Sequence, residues 1–186
     1  MDLAALPARD RILVTAHDLF YRDGIRATGI DRIIAESGVA KLTFYRHFPS
    51  KDDLVRSFLA FRHERWMAWF VDALGRHGAK PGAGLAPLAA AMAEWLADPA
   101  FRGCAFINAV AEVGGSLPDS AAIALKHKLE MEQVIADLLP AGPQRAARAE
   151  AAALAVDGAI VRGQMSGAAS ALSGLRRLLE ALQAER

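Results

Sequence analysis

Between Arg9 and Arg22 the apolar residues Ile12, Ala16, Leu19 and Phe20 recur at intervals of four, three and one, the stripe of an amphipathic helix. Gly24 ends it. Thr28 with Asp31 three residues on makes a capping-box pattern, so a second helix is expected just after Thr28, turning Ile30, Ile33 and Ile34 inward. Ser37-Gly38 closes that helix, glycine being suited to a left-handed end, and a third begins near Ala40. The third is short and runs to about His47, because Pro49 disfavours helical geometry at Phe48 and lacks an amide donor. Ser50 and Asp53 repeat the capping box ahead of a long fourth helix, Lys51 to about Leu74, which carries Leu54, Phe58, Phe61, Trp66, Trp69 and Phe70.

GRHGAKPGAG, residues 75 to 84, is the most linker-like stretch. Beyond it the pattern predicts helices at about 84 to 97, 101 to 113, 119 to 138, 144 to 166 and 170 to 184. The breakers between them are Asp98-Pro99, GGSLP, PAGP and SGAAS. The result is an all-α chain of about nine helices. A hydrophobic fraction of 53% against 23% charged residues excludes disorder, and no period of 20 to 50 residues recurs, so a solenoid is not expected. The breaks suggest a small N-terminal domain, residues 1 to 50, and a larger one, residues 51 to 186.

Two short helices joined by a glycine turn and backed by an amphipathic helix form a helix-turn-helix, whose second member enters the DNA major groove. On the third helix Phe44 and Phe48 can face the core with Val39, which leaves Lys41, Leu42, Thr43, Tyr45 and His47 around the rest of the circumference. A formal net charge of +1 announces no global field, but from residue 26 to 51 Arg26, Arg32, Lys41, Arg46 and Lys51 outweigh Asp31 and Glu36. Read alone, that surplus is more often a solvated face. Residues near the N-terminus of a groove-inserted helix approach base edges, which makes Lys41, Leu42 and Thr43 candidates for base contacts. Tyr45 and His47 suit phosphates, as do Thr28 and Lys51 at helix N-termini, where free amides favour an anion. Tyr45 alone is equally a half-buried structural residue, Arg46 equally solvated, and Thr28 is first of all an N-cap.

TGIDRIIAESGVAKLTFYRHFPSKDDL resembles the DNA-binding signature of TetR/AcrR-family transcriptional regulators, over about residues 9 to 60. The glycine-valine turn, the Lys41-x-Thr43-aromatic-Tyr45 run, the His47-Phe48 pair and the Ser50-Lys51-acid-acid-Leu54 start coincide in order and spacing. The resemblance implies an all-helical homodimer, usually a repressor, with three DNA-binding helices and the remainder forming a ligand pocket and a dimer interface. Two positions depart from it. Ile34 stands where the family usually has alanine, implying a slight displacement between the paired helices. Leu42 stands where many members have glycine or alanine, and either reads a thymine methyl or pads the groove.

RGCAFINAVAEVGG, residues 102 to 115, more weakly resembles a C-terminal segment of one subset of the same family. If that helix lines a pocket, Phe106 supplies apolar wall with Ala109 and Val113, while Asn108 and Glu112, four apart, orient a polar group. Trp66, Trp69, Phe70, Trp95 and Phe101, with Met92 and Met131, would complete the lining; each alone is more often core filling, and only their convergence around one polar pair favours a pocket. Leu154, Val156, Ile160 and Val161 on one late helix, and Leu172, Leu175, Leu178, Leu179 and Leu182 on the next, are the leucine-rich seams that the resemblance pairs across a two-fold axis. A homodimer would bind a near-palindromic double-stranded operator, and a small-molecule effector would shift the fourth helix and spoil the half-site spacing.

The remaining chemistry is sparse. The single cysteine, Cys104, excludes an internal disulfide and any cysteine-pair metal site, and no motif joins it to His77 or His127, so neither an enzyme nor a cofactor or metal is expected. A redox-responsive regulator using Cys104, or an activator, stays as the alternative to a repressor. No apolar stretch reaches membrane-spanning length and the first residues lack a secretion-signal pattern, so a cytoplasmic protein without membrane association is expected.

Overall fold

The computed structural model describes residues 3–184. After a 3-10 turn at Leu3–Ala5, the described chain is helical throughout: α1 Ala8–Asp23, α2 Ile30–Ser37, α3 Lys41–His47, α4 Lys51–Arg76, α5 Ala86–Leu96, α6 Ala105–Val113, α7 Asp119–Leu138, α8 Arg145–Ser166 and α9 Ala168–Ala184. Among the described residues there are nine α-helices and no strand, as the periodicity predicts. Boundaries move by a few residues where the local chemistry is unusual. α6 starts at Ala105 rather than near 101, because Gly103 sits at φ 84, outside helical space for any L-residue, just ahead of it.

The helices pack into two compact units. One comprises the chain up to Glu64 together with Ala105–Ala124; the other comprises Arg65–Cys104 and everything from Leu125 onward. These units follow packing and do not coincide with a division by role at residue 50. α1 needs a cover for its apolar stripe, and the first turns of α4 provide it, with the rings of Phe20 and Phe58 meeting edge-on at 5.4 Å between centroids.

In the first unit Ile12, Leu19, Ile33, Phe44, Phe48, Leu54 and Phe58 are buried. Of the three isoleucines expected to turn inward from α2, Ile33 is fully buried while Ile30 and Ile34 are half-buried. Burial of each large apolar side chain contributes about 1.5–3 kcal/mol, which is how a helix as short as α3 is held in place. Gly38 closes α2 at φ 64 and ψ 33, the left-handed conformation its position predicts. The capping box at the start of α4 is present: the Asp53 backbone N–H donates to Ser50 Oγ (3.1 Å), and that hydroxyl donates to Asp53 Oδ2 (2.7 Å).

Thr28 corrects one expectation. The residue that caps α2 is Gly29, with no side-chain cap, while Thr28 is fully buried and donates its hydroxyl to the Gly24 carbonyl (2.8 Å). An N-cap must expose its oxygen to the first free amides of the helix. Here that oxygen instead closes the connection from α1.

In the second unit α9 packs on α8 and α5, burying Val156, Ile160, Leu175 and Leu179. Gly163 permits a close approach, since a Cβ there would lie 2.8 Å from Leu96 Cδ2. Lys128 of α7 pairs with Asp157 of α8.

Candidate nucleic-acid interface

α3 carries the site because its two faces differ. Phe44 and Phe48 are buried, their rings 6.2 Å apart, and the guanidinium of Arg9 lies over Phe48 at 5.5 Å. Val39, just before the helix, is buried as well. With those anchors inward, Lys41, Leu42, Tyr45, Arg46 and His47 are exposed and Thr43 half-buried. Leu42 shows 74% of its surface to solvent. Six of the seven residues of this short helix, all but Phe44, are therefore exposed or half-exposed.

The two remaining candidates are placed differently. Thr28 is inside the unit, as described above. Lys51, the first residue of α4, is half-buried, and its Nζ sits 6.0 Å from the centre of the Phe20 ring. Burial pushes the Lys51 ammonium down from its ordinary range, while the carboxylates of Glu112 and Asp52 oppose that shift. Lys51 is thus a cation held at a helix start rather than on a free stem.

Salt bridges set the resting positions of the other basic groups. Lys41 Nζ lies 3.4 Å from Asp31 Oδ1 across the α2–α3 turn, with both side chains exposed. Arg32 bridges Asp23 (2.9 Å) and Glu36 (2.8 Å) along α2. Exposed pairs of this kind contribute at most about 1 kcal/mol, so a phosphate or base can displace Asp31 from Lys41 at small cost. The Asp31 partnership is not readable from periodicity, because it depends on how the turn folds α3 back on α2.

The eight ligand candidates fall into separate parts of the molecule. Trp66, Trp69, Phe70, Trp95 and Phe101 belong to the second unit and pack ring on ring: Trp66 with Phe70 at 4.7 Å, with Trp95 at 5.4 Å and with Trp69 at 6.0 Å, and Trp95 with Phe101 at 5.3 Å. His127 meets Trp66 edge-on at 5.1 Å, and Met92 and Met131 are buried. Trp66 Nε1 is buried without a hydrogen-bond acceptor among the described residues.

Phe106, Asn108 and Glu112 belong to α6 in the first unit. Phe106 is buried, whereas Asn108 and Glu112 edge a cleft of about 10 Å³ beside Phe20, Tyr21 and Phe58, roughly the space of one water. Glu112 Oε2 accepts the Arg26 backbone N–H at 2.9 Å. That contact spans 86 residues of sequence, and no local pattern signals it.

Comparison with known proteins places this geometry in a family. The profile of the bacterial regulatory proteins of the tetR family matches residues 12–58, the segment holding most of α1, all of α2 and α3, and the start of α4. Among curated proteins, the HTH-type transcriptional regulator UidR of Escherichia coli (strain K12) is 31% identical over 70 residues, 38% of this chain and 36% of its own length. An HTH-type transcriptional regulator of Staphylococcus aureus is 42% identical over 50 residues, 27% of each chain. The chain therefore spans about a quarter to a third of these curated relatives. Solved structures extend the likeness to nearly the whole molecule. A TetR-family transcriptional regulator from Streptomyces coelicolor is 31% identical, covers 94% of this chain and 95% of its own, and superposes with a TM-score of 0.81. A TetR-family regulator from Agrobacterium tumefaciens shares the fold at 23% identity, over 94% of this chain and 96% of its own, with a TM-score of 0.75. Because the Streptomyces protein is matched over almost its entire length at 31% identity, the chain belongs to the TetR family and is a DNA-binding transcriptional regulator of that type.

Proposed function

We propose that the protein is a homodimeric, ligand-responsive repressor that reads a near-palindromic operator through α3. The observation that carries this reading is the two-faced helix: Phe44 and Phe48 buried, Lys41, Leu42, Tyr45, Arg46 and His47 exposed. Lys41, Leu42 and Thr43, in the first turn, reach base edges. Tyr45, Arg46, His47 and Lys51 hold phosphates, and Thr28 contributes by fixing the chain that presents the α2 amides.

Dimerisation is assigned to α8 and α9. Their inward Val156, Ile160, Leu175 and Leu179 are used within the chain, yet Leu154 (65%), Met165 (82%) and Leu178 (53%) remain exposed. At Gly158 and Gly174 a Cβ would meet nothing within 4 Å, so these helices offer flat places for a second copy. Two copies would present two α3 ridges to half-sites about one DNA turn apart.

The effector site is assigned to the aromatic cluster of Trp66, Trp69, Phe70, Trp95 and Phe101, where the buried Trp66 Nε1 is a donor ready for a ligand acceptor. A hundredfold loss of operator affinity requires only about 2.7 kcal/mol of differential effector binding between two arrangements.

Genomic footprinting of bound sites supplies the operator and tests the reading directly. On that operator Lys41→Ala is expected to weaken binding by about 1–3 kcal/mol, and Tyr45→Phe by less, with affinity falling steeply as salt rises. Undiminished binding by both variants would show that α3 is not the reading surface.

A further inference from the structure

Residues 24 to 29 join α1 to α2 along a path that is not helical. Gly24 turns the chain at φ 93 and ψ 153, Thr28 closes back on the Gly24 carbonyl, and α2 begins without a side-chain cap. The group that holds the middle of this connection comes from α6. Glu112 Oε2 accepts the Arg26 backbone N–H at 2.9 Å, and a Cβ on Gly24 would lie 3.1 Å from the same oxygen. Glycine at 24 is therefore what lets the carboxylate approach so closely. Ile25, between the two, is buried, and the cleft it lines with Phe20, Phe58 and Asn108 has room for about one water. Glu112 also lies near enough to Lys51 for its charge to act on that ammonium.

We infer that Glu112 is a positioning residue for DNA reading: bonded to the Arg26 amide, it sets where α2, and with it α3, sits on the first unit. The last turn of α6 thereby fixes the α1–α2 connection within the first unit. The inference rests on α3 being the reading helix. The carboxylate is an acceptor only, and a charge-assisted bond to a backbone amide is stronger than a neutral one, so both charge and shape contribute.

The test compares the full-length protein with Glu112→Ala and Glu112→Gln, following amide exchange at residues 24–29, operator affinity, thermal midpoint and dimer mass. Glu112→Ala is expected to speed exchange at the Arg26 amide and to weaken operator binding about tenfold each, with midpoint and dimer mass kept. Glu112→Gln retains one acceptor oxygen and should recover most of both. Lys41→Ala serves as control, losing affinity while residues 24–29 exchange as in the parent. If Lys41→Ala binds normally, the reading of α3 fails, and exchange at Arg26 still decides the latch. Unchanged exchange in Glu112→Ala, operator affinity equal to the parent, or a loss of affinity that merely tracks a lower midpoint would overturn the inference.

Discussion

Leu42 is a large apolar side chain left in solvent on a helix whose two phenylalanines are buried. A leucine has no donor or acceptor, so it adds nothing to the counterion release that makes DNA binding salt-dependent, and on the proposed reading of α3 it offers apolar contact in the groove. Leu42→Ala is expected to change the preferred base at one position of each half-site while leaving the slope of affinity against salt unaltered, measured by titration of operator variants at several salt concentrations. A changed slope with unchanged base preference would assign Leu42 to packing against the backbone instead. At this scale the exposed face of α3 was legible in the sequence, because a four-residue spacing of phenylalanines leaves only one way to turn a short helix. Thr28 was not legible: a threonine three residues before an aspartate reads as a cap, and only the path of the chain from Gly24 showed its hydroxyl turned backward. The bond from the Arg26 amide to Glu112 was not legible either. The four-residue pairing of Glu112 with Asn108 describes one helix surface and says nothing of a backbone amide in a distant turn.

The helix starts are the best-determined elements. Ser50 and Asp53 form the reciprocal cap that their spacing predicts, and Gly38 takes the left-handed end. Between elements, side chains far apart in sequence do the fastening. Arg56 of α4 donates from Nε to Asp119 Oδ2 at 2.7 Å, joining α4 to the start of α7 within the first unit. The hydrogen bond from Arg56 holds the Asp119 carboxyl below its ordinary range. A carboxyl whose folded value is lowered contributes stability above its unfolded pKa, near 3.9, and loses it as the pH falls through the folded value. Asp119→Asn is therefore expected to lower the urea midpoint slightly at about pH 7 and to match the parent by about pH 2. A difference that persists unchanged at acid pH would mean that the charge of Asp119 is not what matters. The effect will be small, because both side chains are substantially exposed.

At the scale of the whole molecule the exposed residues of α8 and α9 give the dimer reading its test. Leu154→Glu combined with Leu178→Glu places charges where a second copy would bury leucines, and is expected to yield monomers by sedimentation and to lose tight operator binding, since one α3 reads only one half-site. Dimers that survive the double change would move the interface elsewhere. The all-helical class, the number of helices and the two-faced α3 followed from the chain itself, because helix periodicity, glycine ends and serine-led caps act within a few residues of one another. Which distant surfaces met was decided only in three dimensions. Tertiary packing drew α6 into the first unit, brought the tryptophans ring against ring, and left Leu154 and Leu178 outward while Leu175 and Leu179 went inward. Leucines three residues apart, as Leu175 and Leu178 are, look equivalent to any local rule. The neighbour that covers one and not the other comes from elsewhere in the chain, and burial, unlike capping, has no local signature.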